Sequence, residues 1–244
     1  MRGIPALVLA GWLGLAGQAD AQDIVAADYA EPTLAYPHGV LGDEEEWAAL
    51  MVTVREASGE GTRTYRIPAR ADMVFEDTAP RLWDITGDGL PEVVAVAAHQ
   101  RYGAQLVVLG LVGGTIGTIA STPMIGTRFR WLAPVGAADL DGDGHIEIAY
   151  VDRPHLAKTL RVWRFTPESF TEIATLTGLT NHRIGEDFIT GGLRNCGQGP
   201  EMILADARWS RILAVRLGAD GLAATPIEAF RGRASVDAQL GCPD

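Results

Sequence analysis

The stretch Gly136–Val151 reads GAADLDGDGHIEIAYV: small residues, carboxylates on alternate positions, then an apolar run. Asp139, Asp141 and Asp143 take positions 1, 3 and 5 of a nine-residue segment that Glu147 closes at position 9. Four carboxylates so close repel one another unless something positive lies among them, and the chain already carries a formal net charge of −11. A second copy, DITGDGLPE from Asp84 to Glu92, starts 55 residues earlier, with Thr86 where the later copy has Asp141.

The residues after each acidic segment also repeat. Glu92 leads into VVAVAAH and then AQLVVLGLV; Glu147 leads into IAYVD and then TLRVWRF. A third copy opens at Glu201 with EMILADA and continues as RILAVRL. Similarity at a fixed period of this length marks a repeat architecture. The segments are short, rich in β-branched residues, and bounded by Gly, Pro, Asp and Thr. RVWRF alternates as a half-buried strand does, whereas EVVAVAA runs continuously apolar as a strand buried on both faces does.

Between Glu92 and Asp139 the pattern predicts four strands, at 92–98, 104–112, 115–120 and 130–138. Four antiparallel strands per repeat describe a propeller blade. About four repeats of 45–55 residues start near residues 42, 84, 139 and 193, the first beginning at GDEEEWAALMVTV and continuing through TRTYRIP and MVFED. The expected fold is therefore an all-β propeller, with a β-sandwich of the same strands as the alternative. A ring would close if residues 23–41 added a strand to the last blade, or the last strand joined the first. No stretch beyond the N-terminus shows sustained helical periodicity.

Residues 1–21 have the layout of a secretory signal peptide: Arg2, the apolar Ile4–Gly17, then Ala19-Asp20-Ala21 before Gln22. The remaining domain, 22–244, is expected to be secreted or periplasmic, with no membrane span. Its acidity argues against nucleic acid as a partner. Cys196 and Cys242 are the two cysteines, and in an exported chain they are expected to pair.

In the acidic segments, Asp139, Asp141, Asp143, the His145 carbonyl and Glu147 can converge on one centre if Gly142 and Gly144 take positive φ. Asp84, Thr86, Asp88, the Leu90 carbonyl and Glu92 take the same places in the other copy. Hard oxygen donors on a flexible loop suit Ca²⁺, so about two ions are expected, the Asp139 loop binding more tightly. An EF-hand would need a bidentate Glu at position 12, where Ala95 and Tyr150 stand instead.

DITGDGLPEVV and GAADLDGDGHIEIAYV resemble the FG-GAP/VCBS repeats of integrin-like β-propellers, strongly over 80–152 and more weakly over 190–217. The resemblance implies calcium-holding loops between blade strands at the ten positions just named. In the fourth repeat GLRNCGQGPE has lost the aspartates, so no ion is expected there and Cys196 stands in the loop's place as a possible staple. The consecutive carboxylates Asp43–Glu46 read as a solvated acidic turn.

No hydrolase, nucleotide or dinucleotide motif is present. His38, His99, His145, His155 and His182 form no ligand-spaced pair and read as surface or turn residues; His38, in AYPHGV, is the one placed to reach a propeller face. The expected function is a calcium-stabilised, non-catalytic module binding an extracellular or periplasmic protein or glycan. The alternative is a polysaccharide-cleaving hydrolase or lyase, which clustering of His38, Arg130 and at least two carboxylates would favour.

Overall fold

A computed structural model describes residues 22–57, 59–167 and 169–242. The expected signal peptide therefore lies outside the described residues. The described residues are all-β with one short helix, and their strands fall into four consecutive units.

The first unit holds β1 (Asp23–Thr33), β2 (Glu46–Arg55) and β3 (Thr62–Pro68). The second holds β4 (Met73–Phe75), β5 (Arg81–Trp83), β6 (Glu92–His99), β7 (Gly103–Val112) and β8 (Thr115–Ser121). The third is β9 (Leu132–Ala138), β10 (Glu147–Asp152), β11 (Thr159–Thr166) and β12 (Ser169–Thr177). The fourth has β13 (Leu179–Thr180), β14 (Gly192–Asn195), β15 (Pro200–Asp206), β16 (Arg211–Gly218) and β17 (Gly221–Ala229), followed by α1 (Arg233–Leu240). The third unit is a simple antiparallel meander. The first two share one sheet because Trp47 of β2 pairs with Phe75 of β4.

Units 2 and 4 are variants of unit 3 in which the leading strand is split. In unit 3, β9 runs the whole length of β10, with one register shift between Ala149 and Tyr150. In unit 2, β4 and β5 pair with the two halves of β6, and residues 76–80 leave the ladder between them. In unit 4, β13 and β14 do the same along β15, with a longer excursion at 181–191. These excursions carry polar residues into the interior.

Side-chain alternation on the second strands explains the stacking. Val94, Val96 and Ala98 of β6 face unit 3, while Val93, Ala95 and Ala97 face unit 1. Ile148 and Tyr150 of β10 face unit 2, and Ala149 and Val151 face unit 4. Each middle strand is thus buried on both faces, as its unbroken apolar run requires, and as a strand in a two-sheet sandwich with a solvated outer face is not.

The ends of the stack differ. The outer face of unit 1 is polar, with Thr53 hydrogen-bonded to Thr64 and Arg66 paired with Glu31. The outer face of unit 4 is covered by α1, whose Val236 packs on Ile203, Ile212 and Ala214. This helix departs from the sequence expectation. Its eight residues are too few to show a period, and tertiary burial holds it. Cys196 and Cys242 form a disulfide that ties the β14–β15 loop to the chain just beyond α1. Strand β1 pairs with β2 rather than with the last unit, and β17 pairs with β16, so neither expected strand exchange occurs. The first and last units meet instead through loops, where Gly185 N donates to Val40 O at 3.0 Å.

Candidate functional site

The two acidic loops join β5 to β6 and β9 to β10, at the same end of their units, and they are congruent. Asp84 Oδ1 and Oδ2 accept from Gly87 N and Gly89 N at 2.7 and 2.9 Å. Asp139 accepts from Gly142 N and Gly144 N at 2.7 and 3.0 Å. Asp88 accepts from Leu90 N, and Asp143 from His145 N. The glycines of the later loop have φ of +82° and +89°, the curl that the sequence requires.

The closing glutamates are buried, and their second partners differ. Glu147 Oε2 accepts from Leu140 N at 2.9 Å, and Oε1 from Arg164 Nε at 2.6 Å. The same guanidinium reaches Asp141 at 2.6 Å and Asp143 at 2.7 Å. Arg164 therefore supplies the positive charge among these carboxylates. Burial raises the Glu147 pKa in spite of this partner, while the bond to Glu147 raises that of Arg164. Among the described residues Glu92 has no such arginine. Its Oε2 accepts from Ile85 N and Thr86 N, and Oε1 from the Thr86 hydroxyl at 3.2 Å. Gly110 lies against it, and a Cβ there would stand 3.3 Å from Glu92 Cγ. In unit 4, Glu201 is held by Arg194 at 2.7 Å and Arg216 at 3.0 Å.

These details bear on metal binding. Asp139, Asp141 and Glu147 bring one ligand atom each within 4.8 Å of one another and could hold a metal ion. They are the sole such cluster among the described residues. The Asp84 loop keeps its shape, but Thr86 turns its hydroxyl to Glu92. The structure thus gathers carboxylates in one loop of the expected two. Even there, an ion would have to compete with Arg164.

A second constellation lies at the other end of the strands, where Leu132 pairs with Asp152. A cleft of about 240 Å³ opens there between His38 and Val40 of the β1–β2 connection, Phe129–Trp131 before β9, Arg153, His155 and Leu156 after β10, and Ile184 of the 181–191 excursion. His38 Nδ1 bonds to Glu76 Oε1, and its ring stacks on Phe129 at 5.1 Å. Glu76 is fully buried, its Oε2 has no hydrogen-bond partner among the described residues, and the Trp131 indole N–H donates to its backbone carbonyl at 2.8 Å. Burial raises the Glu76 pKa and lowers that of His38 to about 4, each shift disfavouring the charged form of its group. Two more buried carboxyls, Glu46 and Asp77, lie close enough to act on one another's charge; Glu46 is pushed up to about 9, first by burial and then by Glu76.

His155 Nε2 lies 3.0 Å from His182 Nδ1, and His182 Nε2 lies 2.8 Å from the Glu186 carbonyl. A carbonyl only accepts, so His182 carries its hydrogen on Nε2 and His155 donates to it. Burial brings His155 down to about 4. The surface reading of the histidines is thus corrected for His182, which is fully buried, and for the pair it forms with His155. The solvated reading of Asp43–Glu46 is corrected at Glu46, which is 3% exposed; the other three are exposed. Sequence reasoning missed Arg164, Glu76 and the His155–His182 pair. Only Arg164 left a signal, since Arg216 follows Glu201 on the next strand in the same way.

Residues 84–150 match the FG-GAP-like repeat family. The matched segment runs from the first aspartate of one acidic loop through the second loop into β10, so it covers one whole repeat and both loops. No curated protein matches the chain.

Proposed function

We propose that the protein is an exported binding module: four blades of a propeller-like array over residues 22–244, following a leader at 1–21, that bind an extracellular or periplasmic protein or glycan at the cleft. The observation that carries this reading is the convergence of connections from three units on one cleft, at the strand ends remote from the acidic loops. Leu156 and Ile184, 64% and 70% exposed, give its rim an apolar surface. The FG-GAP-like match supports the blade assignment, and the disulfide supports a destination outside a reducing cytoplasm. Among the described residues no helix is long and apolar enough to cross a membrane.

Calcium enters this reading as a structural ion. Asp139, Asp141 and Glu147 would hold it, with hard oxygens of the kind Ca²⁺ takes, once Arg164 withdraws. The ion would fix the loop and supply no chemistry. The test is a glycan and protein array probed with the wild type, with and without chelator, and with Leu156→Asp/Ile184→Asp. Hits lost in the folded double variant support the reading; hits indifferent to it place the binding surface elsewhere.

One observation favours the catalytic alternative: His38 and Arg130 share the cleft, with Glu76 bonded to the imidazole. Incubation with a panel of polysaccharides, and then assays for new reducing ends and unsaturated products, separates the two. Product formation abolished by His38→Ala would establish the enzyme.

A further inference from the structure

The cleft is cationic in a chain of net charge −11. One of its two guanidiniums is committed: Arg153 Nε and Nη2 lie 2.7 and 3.0 Å from the two carboxylate oxygens of Asp152. Arg130 is not. Its Nη1 donates to the Phe129 carbonyl at 3.0 Å, and it makes no ion pair among the described residues. None of the described side chains lining the cleft is a carboxylate. Glu76, behind the wall, is engaged by His38. With Nδ1 taken up by Glu76, His38 has Nε2 as its remaining polar atom for an occupant of the cleft.

We propose that the cleft binds one carboxylate group borne on a small apolar body, with Arg130 as its charge partner and His38 as a second polar contact. The inference rests on the reading of the cleft as the binding surface. One unpaired guanidinium matches one negative charge, and its planar fork fits the two oxygens of a carboxylate. A phosphate dianion would bring a second charge for which the cleft has no second free cation among the described residues. Val40, Leu156 and Ile184 supply the apolar contact. The volume of about 240 Å³ lies below the roughly 300–1,000 Å³ of drug-sized sites. The occupant is therefore a few carbons long: a free short-chain acid, or the last residue of a peptide with a free C-terminus.

The experiment titrates the purified protein with 4-methylpentanoate and 4-methylpentanamide, and with acetyl-Ala-Leu as free acid and as amide, by calorimetry and by NMR of the His38 imidazole. At least one acid should bind with perturbation of His38, at least tenfold more tightly than its amide. Arg130→Gln should erase that preference, bringing the acid's affinity down to that of its amide. Binding of the peptide acid alone assigns the source as a chain terminus; binding of the free acid alone assigns a small molecule. Equal affinity for acid and amide, or no binding of either acid at tens of millimolar, overturns the proposal. If Arg130→Gln fails to fold, Arg130→Lys, which keeps the charge and loses the fork, should bind the acid more weakly than wild type; unchanged affinity counts against the bidentate contact. Acid–amide equality sinks this inference alone, whereas array hits indifferent to the rim substitutions sink the binding-surface reading beneath it.

Discussion

Arg164 and Glu147 are register partners across the β10–β11 ladder, and Arg164 Nε donates to Glu147 Oε1 at 2.6 Å. Arg216 and Glu201 meet at 3.0 Å in unit 4, whereas Gly110 lies against Glu92 in unit 2. The same closing glutamate is thus neutralised by an arginine in two units and satisfied by neutral donors in the third. In the Asp139 loop the guanidinium also takes up Asp141 and Asp143, so a metal ion bound there would have to compete with Arg164 for the same oxygens.

Arg164→Gln should therefore raise calcium affinity, at least tenfold by calorimetry. In chelator the variant should melt lower, by an amount equivalent to about 2 kcal/mol, because a buried carboxylate loses a charge-assisted hydrogen bond. Calcium should reverse the order. Equal affinity in the two proteins would remove Arg164 from any part in ion binding.

The buried carboxyls near the cleft predict a pH dependence. Folded Glu46 keeps its proton up to about pH 9, whereas in the unfolded chain a glutamate releases it near 4.3. Between those values the native state binds more protons, so stability falls as pH rises, at up to about 1.4 kcal/mol per unit. Glu76 acts in the same direction. His38 and His155, lowered to about 4, act oppositely. Their contribution is lost as pH falls below about 6.5, and they are silent above it. From pH 7 to 9 the carboxyls act alone. Urea midpoints should fall across that interval, and Glu46→Gln should flatten the slope. A level wild-type profile, or an unchanged slope in the variant, refutes the assignment.

Much of this architecture is legible in the sequence because it is local. The run Val93–Ala98 has no polar break, and the structure buries it on both faces. Expected strands at 92–98, 104–112 and 115–120 fall within a residue of β6, β7 and β8, because Gly and Pro punctuate them. The loop curl comes from Gly142 and Gly144. The illegible part depends on pairing across distance. Arg164 reads as one polar residue of an alternating strand until the β10–β11 register sets it opposite Glu147. His182 reads as a turn residue until the 181–191 excursion buries it. Helix α1 offers Val236 and Leu240 as its apolar positions and needs the bare face of unit 4 to explain it.

The disulfide should matter for stability, since it joins residues 46 apart in sequence. On the chain-entropy model, closing such a loop in the unfolded state is worth about 4 kcal/mol. Cys196→Ser/Cys242→Ser should lower the urea midpoint accordingly and release α1 from unit 4, raising amide exchange across Arg233–Leu240. Thiol labelling of the denatured, unreduced wild type should find no free cysteine; two labelled thiols would show the bridge is not formed.

A pair of glycines in the unit 4 excursion separates backbone strain from steric conflict. Gly185 and Gly191 have φ of +87° and +94°, so alanine bears a similar conformational cost at each, on the order of 1–2 kcal/mol. Their surroundings differ. A Cβ on Gly185 meets nothing within 4 Å, whereas one on Gly191 would stand 2.1 Å from the Ile203 carbonyl oxygen. That oxygen belongs to the backbone of β15 and cannot turn aside as a side chain does. Gly191→Ala must therefore push the start of β14 away from β15. The excursion also carries His182 and Ile184, so the displacement should reach the cleft. Gly185→Ala should cost only its strain, while Gly191→Ala should cost at least twice as much and broaden the His155 and His182 imidazole resonances. Equal destabilisation of the two variants, with both imidazoles unperturbed, would show that the excursion accommodates the added methyl and that the close approach of Gly191 to β15 does not position the cleft.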